Sequence, residues 1–165
     1  MNKKFTHFDE NGNSIMVDVS EKENTLREAE AQGKIKVSVD VFDKVINHNI
    51  SKGDVLSVAQ IAGITGMKKT SDIIPLCHNI NLLKCSIKFQ LDEKNSEILV
   101  VGHAKTFGKT GVEMEALAGV TIALLTIYDM CKAIDKNMLI SNICLVKKTG
   151  GKSGNFHYSG GDLND

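Results

Sequence analysis

Lysine carries most of the candidate chemistry in this chain of 165 residues. Of its 20 basic residues only Arg27 is an arginine, so the other cations present compact ammonium groups rather than the planar fork of a guanidinium. Lys147, Lys148 and Lys152 cluster around a glycine-rich stretch near the C-terminus. This cluster is either a cationic flap that binds an anion or a solvated tail.

Two segments come close to the phosphate-binding loop of nucleotide-hydrolysing enzymes. That loop requires a glycine five positions before its Gly-Lys-Ser/Thr triplet. His103 occupies the position before Gly108-Lys109-Thr110, and Val146 occupies the one before the triplet at residues 151–153. The sequence therefore excludes this enzyme class. The turn at residues 108–111 either aims helix N-terminal amides at an anion beside Lys109 or simply joins a strand to a helix.

A second group of residues could move protons. Asp129 and Lys132 are three residues apart in a predicted helix and so share one face. The pair is either part of a site or a surface salt bridge, which contributes only ~0.2 to 0.5 kcal/mol. Lys52 lies in a predicted loop, where lysines are usually just solvated but where catalytic groups also occur. His78 follows Cys77 after a proline turn and has either a structural or a catalytic role.

Composition narrows the function classes. Lys and Arg total 20 and Asp and Glu total 20, so no overall field attracts nucleic acid or an anionic membrane. The four cysteines lack the short paired spacing of zinc sites, which predicts reduced thiols and no metal centre. The longest apolar stretch, residues 116–127, is too short to span a bilayer, and the N-terminus does not have the pattern of a signal peptide. We expect a cytoplasmic protein.

The elements that position these residues follow from periodicity. Alternation from Arg27 onward predicts a strand, although the composition of residues 21–31 favours a helix; we favour the strand. Ser38 is expected to cap a first helix, and a second begins after Asp54. Pro75 must interrupt any helix that reaches it.

The second half of the chain predicts a hairpin, a helix and a last strand. Alternating segments at residues 85–91 and 98–104 flank a turn at residues 92–95. Thr110 and Glu113 form a capping-box pattern before a long apolar helix that runs to about Ala133. A short strand follows at residues 143–146. The order predicts one α+β domain over residues 1–165, ferredoxin-like, with a mainly antiparallel sheet and helices packed on one face. Residues 1–15 are expected to form an extended arm. Residues 155–165 are expected to form a flexible tail, with nothing after Gly154 packing.

Six segments in order carry a resemblance to one family. They are MVDVS at residues 16–20, KGDV at 52–55, IPLCH at 74–78, GKTGVEMEAL at 108–117, LTIYDMCKA at 125–133 and KTGGKSG at 148–154. With these, residues 5–154 resemble the cyclic pyranopterin monophosphate synthase family. Residues 155–165 match nothing useful. Asn79, Lys69 and Thr149 stand where such sequences usually have proline, arginine and serine.

The resemblance implies a lyase of molybdenum cofactor biosynthesis. Its substrate would be (8S)-3',8-cyclo-7,8-dihydroguanosine 5'-triphosphate, which it would convert to cyclic pyranopterin monophosphate and pyrophosphate. The implied fold is again ferredoxin-like, and the implied assembly is a homohexamer, a trimer of dimers with sites at the dimer interface. Carried over by motif, the catalytic residues are Asp129, Lys52 and Lys132. The implied substrate contacts are Leu76, Cys77, His78, Met114, Glu115, Lys148 and Lys152, the last two meeting the triphosphate.

Physical chemistry places conditions on this interpretation. Lysine has an ordinary pKa of about 10.4, so Lys52 or Lys132 needs desolvation or a nearby cation to act as a base. No cofactor is required by the sequence, although Mg²⁺ can accompany the triphosphate. Two rival interpretations are a nucleotide-binding regulatory module without turnover and an RNA-binding domain. The second is disfavoured by a content of only 5% aromatic residues, which stacking on single-stranded RNA requires.

Overall fold

The computed structural model describes residues 9–48 and 50–159 as helices packed on one antiparallel sheet. The elements are β1 (Thr25–Lys36), α1 (Val39–Ile46), α2 (Val55–Lys68), α3 (Thr70–Ile73), β2 (Leu82–Asp92), β3 (Glu97–Gly108), α4 (Glu113–Cys131), β4 (Leu139–Thr149) and β5 (Phe156–His157). The strand order is β2-β3-β1-β4-β5, and the strand pairs are antiparallel. Apart from β5, this is the β-α-β-β-α-β arrangement of a ferredoxin-like fold, as predicted.

The choice of a strand at β1 is confirmed. Ala29, Ala31 and Ile35 are buried on one face while their neighbours alternate outward. Gly33 shares the buried face, and a Cβ there would lie only 2.8 Å from the Leu124 Cδ1 atom of α4. Small side chains thus let α4 lie directly on the sheet. This tertiary packing outweighs the local helix propensity of the segment.

The helix starts at α1 and α2 follow the predicted caps. The Ser38 side chain accepts a hydrogen bond from the Val41 amide, and Asp54 accepts one from the Ser57 amide. Each cap satisfies an amide that has no partner within its helix. The short α3 ends at Ile73, before Pro75. The segment that follows Pro75 is therefore a loop, and it carries residues 76–78.

The predicted capping box at Thr110 and Glu113 is wrong. α4 begins at Glu113 itself, after Val112, with no side-chain cap. The Glu113 carboxylate instead binds Lys148, with 3.0 Å between Nζ and Oε1. The helix also ends at Cys131, slightly before the expected Ala133, with Lys132 as its cap.

α4 is the central helix of the core. It is long and apolar enough to cross a membrane by length and composition, but half of its most apolar stretch is buried inside the fold. Val120, Leu124 and Ile127 are fully buried, and α4 packs on both the sheet and α2. Burial in the core therefore accounts for its apolar composition.

The C-terminal segment differs from its prediction. β4 spans 11 residues rather than the short strand expected at residues 143–146. Phe156 and His157 then pair with Lys148 and Lys147 through the backbone, a strand that the sequence does not predict. Both side chains are exposed, so they do not join the core. Left-handed glycines at residues 150, 151 and 154 turn the chain back along β4, which a search for apolar periodicity does not detect. Residues 160–165 of the predicted tail lie outside the described residues.

Only part of the predicted N-terminal arm is described. Residues 1–8 lie outside the described part of the chain. Asp9 then holds a local turn, because its Oδ1 atom accepts a hydrogen bond from the Asn13 amide at 2.7 Å. This stretch of the arm is therefore turned rather than extended.

Candidate active site

A cavity of about 360 Å³ opens at the N-terminal end of α4. Its lining comprises Val17, Val19, Lys22, Leu76, Cys77, His78, Ile80, Thr110, Gly111, Glu113, Met114 and Glu115. Five of the predicted substrate contacts, the three at residues 76–78 together with Met114 and Glu115, are therefore brought to one place. The loop after Pro75 supplies the first three, and the first turn of α4 supplies the other two.

Two side chains hold the N-terminal segment that forms one wall of the cavity. His78 donates from Nε2 to the Val17 carbonyl oxygen at 2.8 Å, because a carbonyl can only accept. Lys109 donates from Nζ to the Ser20 carbonyl oxygen at 2.6 Å. Val17 and Val19 are thereby placed against the loop and α4, which gives the cavity an apolar side.

Glu115 is the unusual charged residue of the cavity. It is 3% exposed, and its Oε2 atom has no hydrogen-bond partner among the described residues. Burial is the main cause that raises the pKa of this carboxyl to about 7, with a further contribution from the charge of Glu113. Burial, followed by the proximity of Glu115, also raises the pKa of the Cys77 thiol. The cavity thus contains a carboxyl group that changes protonation near neutral pH and a thiol that stays protonated.

Lys148 reaches the same end of the molecule from β4. Its Nζ atom lies 3.0 Å from Glu113 Oε1 and donates to the Ser153 hydroxyl at 2.8 Å. The Glu113 carboxylate folds over Gly111, where a Cβ would lie 1.9 Å from Oε2. One predicted triphosphate ligand is therefore tied to the cavity rim. Lys152 is exposed on the loop that follows β4.

The predicted catalytic residues form a separate cluster at the C-terminal end of α4. Lys132 Nζ lies 2.7 Å from Asp129 Oδ1. Lys52, from the loop before α2, lies 3.8 Å from Asp129 Oδ2 and donates to the Asp129 carbonyl oxygen at 3.0 Å. One carboxylate therefore holds two ammonium groups, and all three side chains are about half exposed.

The electrostatics of this cluster keep its charges in place. The hydrogen bond and charge of Lys132, followed by the charge of Lys52, lower the pKa of Asp129. Reciprocally, Asp129 raises the pKa of Lys132 above its ordinary value. A general base at neutral pH needs a lowered lysine pKa, so a single subunit does not meet this condition at Lys132.

The two groups of predicted residues lie far apart within one chain. Glu115 and Asp129 are separated by 14 positions of α4, which corresponds to about 21 Å at 1.5 Å per residue. One subunit therefore does not bring the cavity and the lysine cluster onto one small molecule.

The three departures from the family pattern lie in different surroundings. Lys69 pairs with Asp72 at 3.0 Å, so its ammonium group is held locally. Asn79 lines a neighbouring cavity of about 170 Å³ beside His78. Thr149 pairs with Glu28 in the sheet.

Sequence reasoning missed two residues of the site. The capping-box pattern predicts a helix cap at Glu113, yet this residue lines the cavity and binds Lys148. Composition distinguishes Arg27 only as the single arginine, yet its guanidinium binds two carbonyls of the turn before α4. Its rarity was the one available signal, because a lone guanidinium among lysines points to a need for its planar fork.

Comparisons with known proteins identify the family of the chain. A family model described as the MoaC family matches residues 16–151. A cyclic pyranopterin monophosphate synthase of Clostridium acetobutylicum is 58% identical over 160 residues, which cover 97% of this chain and 99% of the relative. Proteins of the same name from Clostridium perfringens strain 13 and Heliobacterium modesticaldum are 53% and 56% identical, over 96% and 92% of this chain and 100% and 95% of the relatives. The matched residues include both the cavity and the lysine cluster, and the chain belongs to the MoaC family.

Proposed function

We propose that this chain is a cyclic pyranopterin monophosphate synthase of molybdenum cofactor biosynthesis. Its substrate would be (8S)-3',8-cyclo-7,8-dihydroguanosine 5'-triphosphate, and its products cyclic pyranopterin monophosphate and pyrophosphate. The observation that carries the proposal is the cavity at the start of α4, which gathers five predicted substrate contacts, the buried Glu115 among them. The names of the relatives support the same activity.

The cavity suits the two chemically different parts of this substrate. Apolar side chains from Val17, Leu76 and Ile80 line it together with the Glu115 carboxyl, an environment for the ring system that also offers an acceptor for ring N–H groups. Lys148 is tied to the rim, and Lys152 lies exposed on the next loop. These lysines give local positive potential for the triphosphate although the net charge of the chain is zero.

We further propose that a second subunit completes the site with its lysine cluster. The separation of about 21 Å along α4 supports this arrangement, since one subunit cannot place both groups on one substrate. Val58, Ile61 and Leu125 leave large apolar side chains exposed on the helix layer, as a surface that is covered in an oligomer does. The expected assembly is a homohexamer, a trimer of dimers. Light scattering at micromolar concentration should give several times 18.0 kDa, and a fully active monomer would contradict this part of the proposal.

Closing the cyclic phosphate defines what the lysines must do. A substrate hydroxyl forms a bond to the α-phosphorus, the bond from that phosphorus to the pyrophosphate oxygen breaks, and the hydroxyl proton passes to a base. Lys52 and Lys132 are the proposed acid and base, held by Asp129. A second subunit covering the exposed cluster would remove water from these ammonium groups, which lowers a lysine pKa.

Two further features are part of the proposal. Mg²⁺ can accompany the triphosphate, because this ion is usually held by substrate phosphates and water together with only one or two carboxylates. We place the protein in the cytoplasm, where the four thiols would stay reduced.

The decisive experiment supplies the cyclised triphosphate and measures the pterin product and pyrophosphate together. Equal amounts of both are expected. A regulatory nucleotide-binding module would bind the substrate and release neither product. An RNA-binding domain would show no affinity for the substrate, so each alternative gives a different result.

A further inference from the structure

Arg27 binds the turn that leads into α4. It lies on β1 in register with the buried residues Ala29 and Ala31, the face that packs on α4. Its Nε atom donates to the Gly108 carbonyl oxygen at 2.9 Å, and its Nη2 atom donates to that of Lys109 at 3.1 Å. These two hydrogen bonds hold the backbone immediately before Thr110, where the cavity wall begins.

The same guanidinium also shapes the glycine-rich loop after β4. A Cβ on Gly151 would lie 2.0 Å from Arg27 Nη1, and a Cβ on Gly150 would lie 2.1 Å from the Leu26 carbonyl oxygen. Both glycines have positive φ, +78° and +86° respectively. A side chain on Gly150 would therefore clash with the β1 backbone, and one on Gly151 would displace the guanidinium that the two hydrogen bonds hold in place.

Arg27 thus connects two segments that are far apart in the chain and that both carry lysines. The turn carries Lys109, and the loop lies between Lys148 and Lys152. Lys148 is already tied to the cavity rim through Glu113. Because the described hydrogen bonds of Arg27 go to neutral carbonyls, its own positive charge adds to the potential of these lysines.

We infer that Arg27 is a positioning residue for triphosphate binding. It sets the distance between the turn at residues 108–110 and the loop at residues 148–152, and it contacts no phosphate itself. The inference deepens the proposed function and rests on it for the identity of the anion. A lysine at this position cannot replace the arginine, because one ammonium group lacks the planar fork that binds two carbonyls and packs on Gly151.

The first test replaces the fork and keeps the charge. For Arg27→Lys we expect the Kd for inorganic triphosphate, measured by calorimetry, to rise about tenfold, the size of effect that losing one hydrogen bond to a charged group produces. The KM for the cyclised substrate should rise in parallel. The kcat should change less than about threefold, since the proposed acid and base groups lie elsewhere. Thermal unfolding of the variant checks that the fold persists.

The second test uses two glycines of the same loop as a matched pair. Gly151→Ala places a methyl group against the guanidinium, whereas Gly154, at φ +70°, has nothing within 4 Å of a built Cβ. Both substitutions carry the strain of a left-handed backbone, and only the first meets Arg27. We expect Gly151→Ala to weaken triphosphate binding about tenfold and Gly154→Ala to change it less than about twofold. In an Arg27→Ala background, Gly151→Ala should cause little further loss of triphosphate affinity.

Three results would overturn the inference. Unchanged triphosphate affinity in Arg27→Lys would show that only the charge matters. A fall in kcat at constant KM would place Arg27 in the chemical step. Equal losses in Gly151→Ala and Gly154→Ala would remove the packing argument, and this pair decides the question even if the arginine variants unfold. If the wild-type chain binds triphosphate but does not convert the cyclised substrate, the proposed function fails and the positioning role of Arg27 is still tested.

Discussion

The two ends of α4 each carry a carboxyl group with charged neighbours, in opposite surroundings. Glu115 at the N-terminal end is 3% exposed, whereas the Asp129 side chain at the C-terminal end is 61% exposed. The pKa of Glu115 is raised to about 7 by burial, and that of Asp129 is lowered by two lysines. Surroundings, rather than residue type, thus determine whether a carboxyl group changes protonation near neutral pH or holds a fixed charge.

Under the proposed function, this difference gives the two regions distinct tasks. The N-terminal cavity has a defined shape, an apolar wall and a titrating carboxyl group, properties of a binding site for a ring system. The C-terminal cluster is open to solvent, and Asp129 raises the pKa of Lys132, which keeps that ammonium group charged. The cluster has the groups for proton transfer but not the desolvation that would lower the pKa of its lysines. In the proposed assembly, each region would receive from a second subunit what it lacks in its own chain.

The largest effect is expected at Lys52, and it separates charge from proton transfer. Lys52→Arg keeps a positive charge but cannot release a proton at working pH. We expect both Lys52→Arg and Lys52→Ala to lower turnover about 10³-fold, the contribution of a positioned acid or base. Both should still bind the triphosphate, and alanine should bind it more weakly.

Binding must be measured together with turnover in these variants, because a bulkier guanidinium can displace the substrate. Only an arginine variant that binds normally and fails to react supports proton transfer. If Lys52→Arg retained most of its turnover, Lys52 would be an electrostatic clamp and Lys132 would have to be the proton-transfer group.

A smaller effect is expected at Asp129, which holds both lysines of the cluster. Asp129→Asn should keep the fold and substrate binding while lowering turnover about 10²-fold, because the ammonium groups lose the carboxylate that orients them. Asp72→Asn is a matched control, since Asp72 also pairs with an exposed lysine three residues away, at 3.0 Å. Steady-state kinetics of the two variants provide the test. Equal turnover in both variants would show that Asp129 and Lys132 form only a surface salt bridge.

The last effect concerns stability rather than turnover, and it is a pH dependence that arises at Glu115. Its folded pKa of about 7 lies above the ordinary value near 4.3, so the folded state binds more protons between these two pH values. Stability therefore falls as pH rises from about 4.5 to about 7, by about 3 kcal/mol, and stays level above that. The free energy of unfolding, measured with urea at several pH values, should change less with pH for Glu115→Gln than for the wild type.

Met114→Leu is the control for this pH series, because it changes the neighbouring cavity residue without removing a titrating group. It should keep the wild-type slope. Identical slopes in the wild type and Glu115→Gln would show that the buried carboxyl group does not titrate in this range.

The elements and the site were predictable from sequence to different degrees. Alternation over residues 27–37 and the caps at Ser38 and Asp54 are local signals, and the structure confirms them. The predicted start of α4 is wrong because the Glu113 carboxylate binds Lys148, a residue 35 positions away. β5 was missed because left-handed glycines, rather than apolar side chains, direct it.

The grouping of site residues shows a similar limit. Leu76, Met114 and Glu115 line one cavity, as the family motifs imply. The predicted helix already places Met114 and Glu115 near its start and Asp129 and Lys132 near its end. The contact of Lys52 with Asp129 could not be predicted, because motif order carries no distances. The burial of Glu115 could not be predicted either, because a glutamate in the first turn of a helix is normally solvated.

Subunit mixing tests the central claim that the two ends of α4 act on one substrate from different chains. Glu115→Ala and Lys132→Ala are each expected to be inactive on their own. When they are mixed in equal amounts, dissociated and reassembled, half of the dimers pair unlike chains, and each such dimer contains one intact site of two. Random pairing in a two-fold dimer therefore predicts recovery of about a quarter of wild-type turnover. No recovery from a mixture shown by mass spectrometry to contain both chains would contradict the claim.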